Sequence, residues 1–315
     1  MNAPRSIDDY LKQLRGALAG EDPALIQDAL YDAEEYLRAE VAAHPGKSEA
    51  DVLELIASTY GAPDEVAAAY RDTEKKVKAA LKSPTSKRAI GASPLARFFR
   101  VYLDPRAYLS TFYMVLTIFT GVAYFTIAVV GLSLSAGLAV LIIGVPFFLA
   151  FIAVARAIAL GEGRLLEAIT GERMPRRPVH PGAPATWWTR IVEMLQDVRT
   201  WTTLLYLLLM LPLGIFYFTV AVTLLALSAA FIATPLAVLA NYFGWIHGDV
   251  WDHIRLGDDI LWSVSHPVLS GIVWIVLGIA ILTLFMHAAR ALIRGHALLA
   301  KSLLVKPGEL ARQRI

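Results

Sequence analysis

The chain has 315 residues, 57% of them hydrophobic and 18% charged, with a mean hydropathy of +0.54. Soluble domains carry about 25% charged residues, so a chain this apolar is not dissolved along its whole length. It has no cysteine, which excludes disulfides, thiol catalysis and cysteine-ligated zinc or iron–sulfur centres.

The net charge of +2 conceals two unlike halves. Residues 1–74 hold 6 Lys+Arg against 16 Asp+Glu, and the remainder holds 23 against 11. The polar stretch from Met1 to Gln13 has no apolar core, so the first membrane helix is expected to be the targeting signal.

Residues 1–74 read as a small acidic domain of short helices. Ser6 is a cap for a helix carrying Tyr10, Leu11, Leu14 and Leu18. Pro23 opens a second helix, which His44-Pro45-Gly46 stops. Ser48 caps a third with Val52, Leu53 and Ile56, and Pro63 opens a fourth with Val66, Ala67 and Tyr70 inward. So few large side chains make a marginal core, which docking onto a partner or onto the chain's own membrane module would help.

Residues 75–106 are a basic linker, with nine Lys and Arg residues against Asp104 alone. Such a stretch is expected to lie on anionic lipid. Residues 107–155 then contain no Asp, Glu, Lys or Arg, and fit two spans of about 20 residues each. Uncharged runs recur over 200–246 and 260–289, the latter interrupted only by His266 and His287.

Charge parity sets the number of crossings. Residues 156–199 hold seven Arg residues and the chain after 289 six Lys and Arg, whereas 247–266 holds one Arg against four Asp. The positive-inside rule places the linker, the loop at 176–196 and the tail at 306–315 in the cytoplasm, and the Asp-rich segment outside. Two spans are expected in 107–175 and two in 197–305, with an extracytoplasmic interfacial insertion at about 226–266. On that count 224–246 extends the third helix and ends in an interfacial or re-entrant piece, with a fifth span as the alternative.

The two membrane segments repeat one another. Asp104, Arg106, Tyr113, Gly121 and Tyr124-Phe125-Thr126 recur as Asp197, Arg199, Tyr206, Gly214 and Tyr217-Phe218-Thr219 at an offset of 93. Ala155-Arg156-Ala157 and Gly161 recur as Ala289-Arg290-Ala291 and Gly295 at an offset of 134. Both copies are expected to begin and end in the cytoplasm, so the expected fold is all-α: a helical domain plus a four-helix transmembrane bundle of two parallel repeats.

Two resemblances follow from particular motifs. Residues 5–75, with Asp32-Ala33-Glu34-Glu35-Tyr36 and Tyr60-Gly61-Ala62-Pro63-Asp64-Glu65-Val66-Ala67, resemble the HAAS signalling domain of bacterial membrane proteins. Residues 95–305, with Asp197-Val198-Arg199-Thr200-Trp201 and Leu211-Pro212-Leu213-Gly214, resemble the bacterial "putative sensor" membrane domain. Both resemblances imply signalling at the bacterial cytoplasmic membrane. No kinase segment follows Arg290 in this chain, so output is expected to pass to a separate cytoplasmic protein, a regulator or kinase.

Catalytic and cofactor motifs do not occur. There is no Walker-type phosphate loop, nucleophile elbow or His-Glu-x-x-His, so neither catalytic nor cofactor-binding residues are expected. Asp249, Asp252 and His253 would share a helical face able to take a divalent metal. An amphipathic helix lying in the outer interface is the rival reading of the same residues. Asp28, Asp32 and Glu35 form an acidic stripe on the second helix, read either as a solvated face or as a docking surface for a basic partner. The −10 charge of the first domain argues against nucleic acid. The expected function is a non-enzymatic membrane sensor or signalling adaptor. A transporter subunit or small-molecule carrier and a membrane-shaping homo-oligomer are the alternatives.

Overall fold

The structure, a computed structural model, describes residues 4–81, 93–138, 141, 144–175, 192, 195–245, 253–256, 259–263 and 267–305. Its described elements are helical apart from one short hairpin. Cα proximity divides the chain into two compact units, residues 1–86, 123–210 and 294–315 in the first, 87–122 and 211–293 in the second.

The acidic domain is built from α1 (Ile7–Ala17), α2 (Pro23–Ala43), α3 (Glu49–Ala57) and α4 (Pro63–Leu81). Each start has a local cause. The Ser6 hydroxyl accepts from the Asp9 amide, and Asp22 caps α2 by accepting from the Ala24 amide ahead of Pro23. Ser48 and Asp51 form a reciprocal capping box at α3. Gly61, at φ 102°, supplies the left-handed turn before α4, and its carbonyl accepts from the Tyr10 hydroxyl at 2.9 Å. The core gathers Tyr10, Leu14, Leu18, Leu37, Val52 and Ile56, all buried. Tyr36 and Tyr60 stack at 4.4 Å over it. α4 runs to Leu81, past the change from acidic to basic sequence at residue 75.

A short helix, α5 (Pro94–Phe99), and a 3-10 turn (Arg100–Leu103) lead into the apolar helices. These are α6 (Pro105–Leu138), α7 (Gly144–Thr170), α8 (Val198–Tyr242) and α9 (Pro267–Leu304). Among the described residues, four helices are long and apolar enough to cross a membrane. The protein is therefore an all-α membrane protein. α8 continues through Pro212 and Pro235 to Tyr242, so 224–242 belongs to the third long helix and is no separate span. Its 45 residues reach about 67 Å at 1.5 Å per residue, more than twice an apolar slab of about 30 Å.

One expectation changes at the Asp-rich segment. Strand β1 (His253–Leu256) pairs antiparallel with β2 (Asp259–Ser263), His253 opposite Ser263, with a bulge between Ile254 and Arg255. An interfacial helix does not reach these residues. Two strands joined by two residues satisfy each other's backbone groups locally, as a helix would.

Several contacts of the membrane helices recur at a spacing of 93 residues. The Asp104 carboxylate accepts from the Arg106 amide at 3.0 Å, and Asp197 accepts from the Arg199 amide at 3.0 Å. The Tyr108 hydroxyl donates to the Tyr102 carbonyl, and the Trp201 indole to the Leu195 carbonyl, again 93 residues apart. Tyr113 and Tyr206 are both fully buried.

Two ion pairs join helix starts to other helices. Arg156 of α7 meets Asp197 at 3.3 Å, and Arg290 of α9 meets Asp104 at 3.1 Å. The start of α8 thus lies against the body of α7, and the start of α6 against the body of α9. Each unit accordingly joins the later part of one of the helices α6 and α8 with the earlier part of the other.

Candidate functional site

The most concentrated charge in the first unit forms where α7 ends. The Thr170 hydroxyl donates to the Leu166 carbonyl and accepts from the Glu172 amide, while the Gly171 amide donates to the Glu167 carbonyl at 2.8 Å. Gly171 adopts φ 78°, a conformation that closes a helix and is costly for other residues. The chain then turns back, and Arg173 enters the acidic domain.

Its guanidinium is ringed by three carboxylates. Asp28 of α2 lies at 2.8 Å, Glu74 of α4 at 3.3 Å and Glu167 of α7 at 3.5 Å. All four side chains are at least nine-tenths buried. The Met174 amide adds a hydrogen bond to Glu167 at 3.4 Å. One cation thereby ties two helices of the acidic domain to the end of a membrane helix. A second tie lies beside it: Lys301 of α9 reaches Asp22, the cap of α2, at 2.6 Å. Buried carboxylates carry a large desolvation cost, which a well-placed guanidinium offsets only while it stays in place.

The acidic stripe on α2 is divided by this arrangement. Asp28 is buried on Arg173 within the chain and does not face solvent. Asp32 is half-buried and accepts from the Tyr70 hydroxyl at 2.9 Å. Glu35 is exposed. Burial and the Asp32 charge raise Tyr70 above its ordinary value, and Tyr60 is pushed up to about 12 chiefly by burial. Both phenols therefore remain neutral near neutral pH, and Tyr70 keeps the proton it donates to Asp32.

The metal expectation fares differently at each residue. Asp249 and Asp252 lie outside the described residues. His253 opens a strand, so the helical face it was expected to share with Asp249 does not extend to it. Among the described residues, no group of three His, Cys, Asp or Glu is placed to hold a metal ion. The Asp28, Glu74 and Glu167 carboxylates already hold a guanidinium.

Glu74, Glu167 and Arg173 were not marked as site residues by the sequence. Arg173 counts there only as a topology charge, and its partner Asp28 is 145 positions away. The one local signal is Glu167, an acid among the apolar residues Leu165, Leu166, Ala168 and Ile169 at the end of a span.

Inside the membrane helices lie further polar pairs. The half-buried Tyr124 hydroxyl donates to Glu162 at 2.9 Å, and the buried Tyr206 meets His296 at 3.1 Å. Tyr217 is buried in the second unit.

Comparison with known families finds that residues 113–304 match the family model described as "Putative sensor". No curated protein and no solved structure matches the chain.

Proposed function

This chain belongs to the "Putative sensor" family, and from that premise we propose that it is a non-enzymatic membrane signalling adaptor. The four apolar helices receive a cue arising in or at the membrane. The HAAS-like acidic domain is the output, read by a cytoplasmic regulator or kinase. Both chain ends lie in the cytoplasm of a bacterial cell, and the basic residues of 75–106 rest on anionic lipid.

The observation that carries the proposal is the Arg173 cage. A covalent fusion needs no buried ion cluster to keep two parts of one chain together. An arginine shared by Asp28, Glu74 and Glu167 makes docking of the output domain conditional on the position of the α7 end. A small shift there leaves three carboxylates without their cation and favours release. Released, the domain presents Asp28 beside Asp32 and Glu35, the acidic surface suited to a basic partner.

A photo-crosslinking residue at Glu35 of the full chain tests this in cells. Specific capture of a cytoplasmic regulator or kinase, increased by Arg173→Ala, is expected. Absence of capture, or equal capture with and without Arg173, rejects the adaptor role.

A further inference from the structure

Next to the cage, the first unit holds a small cleft of about 50 Å³, partly open to solvent, between α7, the start of α8 and the end of α9. Two guanidiniums, Arg156 and Arg199, line it against the single carboxylate of Asp197. Arg156 is positioned by Asp197 at 3.3 Å and the Thr200 hydroxyl at 3.2 Å, and Arg199 by the Leu304 carbonyl at 2.8 Å. The rest of the wall is mainly apolar, with Ala159, Leu160 and Met174.

The space comes from small residues on α7. At the offset of 134, the places of Ala159 and Gly163 are taken in α9 by Ile293 and Ala297, both fully buried. One copy of the repeat is filled at these positions and the other is left open. A methyl group at Gly163 would already lie 3.4 Å from Met174.

We infer that this cleft binds one anionic phospholipid, its phosphate against Arg156 and Arg199 and its acyl chain along Ala159 and Leu160. The pairing of a net positive mouth with an apolar wall selects this chemistry. A free anion would leave the wall wetted, and a zwitterionic headgroup would compensate the two guanidiniums poorly. The ligand would also touch Met174, the residue next to Arg173, which gives the cue of the proposed adaptor a route to the cage. That consequence rests on the adaptor reading; the binding itself does not.

Full-length protein in detergent is titrated with dioleoylphosphatidylglycerol, dioleoylphosphatidylcholine or inorganic phosphate, and followed by native mass spectrometry and thermal unfolding. One retained phosphatidylglycerol and a raised melting midpoint are expected, with no such effect from the other two. Ala159→Ile, which installs the residue of the filled copy, is expected to weaken phosphatidylglycerol retention by about tenfold or more while leaving the lipid-free midpoint in place. Arg199→Gln gives the same readout should the first variant fold poorly. Equal retention of phosphatidylcholine, full stabilisation by phosphate alone, or undiminished phosphatidylglycerol binding in a folded variant overturns the inference. None of these readouts involves a protein partner, so the lipid site and the adaptor role can fail separately.

Discussion

Removal of Arg173 tests the coupling of the acidic domain to the membrane helices most directly. At an effective dielectric near 20, each of its contacts at 2.8, 3.3 and 3.5 Å represents about 5 kcal/mol of attraction. Mutual repulsion among the three carboxylates and the desolvation of four buried charges cancel most of that sum. The net cost of taking away one partner of a buried ion cluster is about 3–5 kcal/mol. This is the cost with the domain kept in place. Undocking rehydrates Asp28, Glu74 and Glu167 and limits the loss, so Arg173→Ala is expected to release the domain while its core of Leu14, Leu18 and Leu37 persists. The docked-to-undocked ratio should fall by about two to three orders of magnitude. Hydrogen exchange on the full-length protein is the assay. Peptides of α2 around Asp28 and of α4 around Glu74 should exchange faster, and the α1 core peptide should not. Adding Asp28→Asn and Glu74→Gln to Arg173→Ala should restore part of the protection, because fewer charges are then stranded. Unchanged exchange at both α2 and α4 in Arg173→Ala would refute the cage as the link.

Other consequences follow from particular contacts. Arg156→Asp or Asp197→Arg alone should lower the melting midpoint of the full chain, and the charge-swapped double variant should recover much of it; no recovery would mean that the 3.3 Å pair is incidental. Gly214→Ala should be destabilising by about 1–3 kcal/mol, since a Cβ would stand 2.3 Å from the Thr117 carbonyl oxygen. Gly137→Ala, with nothing within 4 Å, should be close to neutral in the same melting assay. Ser48→Ala removes the capping box of α3 and should cost about 1 kcal/mol. Asp51 is held below its ordinary 3.8 mainly by its hydrogen bonds with Ser48, so its contribution is present above that value and lost as pH falls through the lower folded-state value. The difference between wild type and Ser48→Ala, measured by denaturant titration, should accordingly shrink only in strong acid.

The candidate site was legible in parts. Asp28 could be picked out because it stands one helical turn from Asp32 on a helix defined by its apolar spacing. Its role could not, since an acid on a helix face looks the same whether water or a distant guanidinium faces it. The hairpin at His253–Leu256 and Asp259–Ser263 was hidden by a segment whose Asp and Trp residues suit either an interfacial helix or strands. Pro235 did not end α8, because in apolar surroundings a broken helix would leave more backbone groups unsatisfied than the one amide donor that proline removes.

By itself, the amino-acid sequence determined the quantities that depend on near neighbours. Apolar runs dictated four long helices, and Ser6, Pro23 and Ser48 dictated where short ones begin, because capping and transfer from water act over a few residues. The repeated Asp104-x-Arg106 and Asp197-x-Arg199 likewise imposed equal caps on α6 and α8. Only the tertiary structure decided which arginine meets which acid: Arg173 with Asp28 and Glu74, Arg156 with Asp197, Arg290 with Asp104. A buried charge accepts whichever opposite charge the fold brings within about 4 Å, and that distance is set by the packing of whole helices.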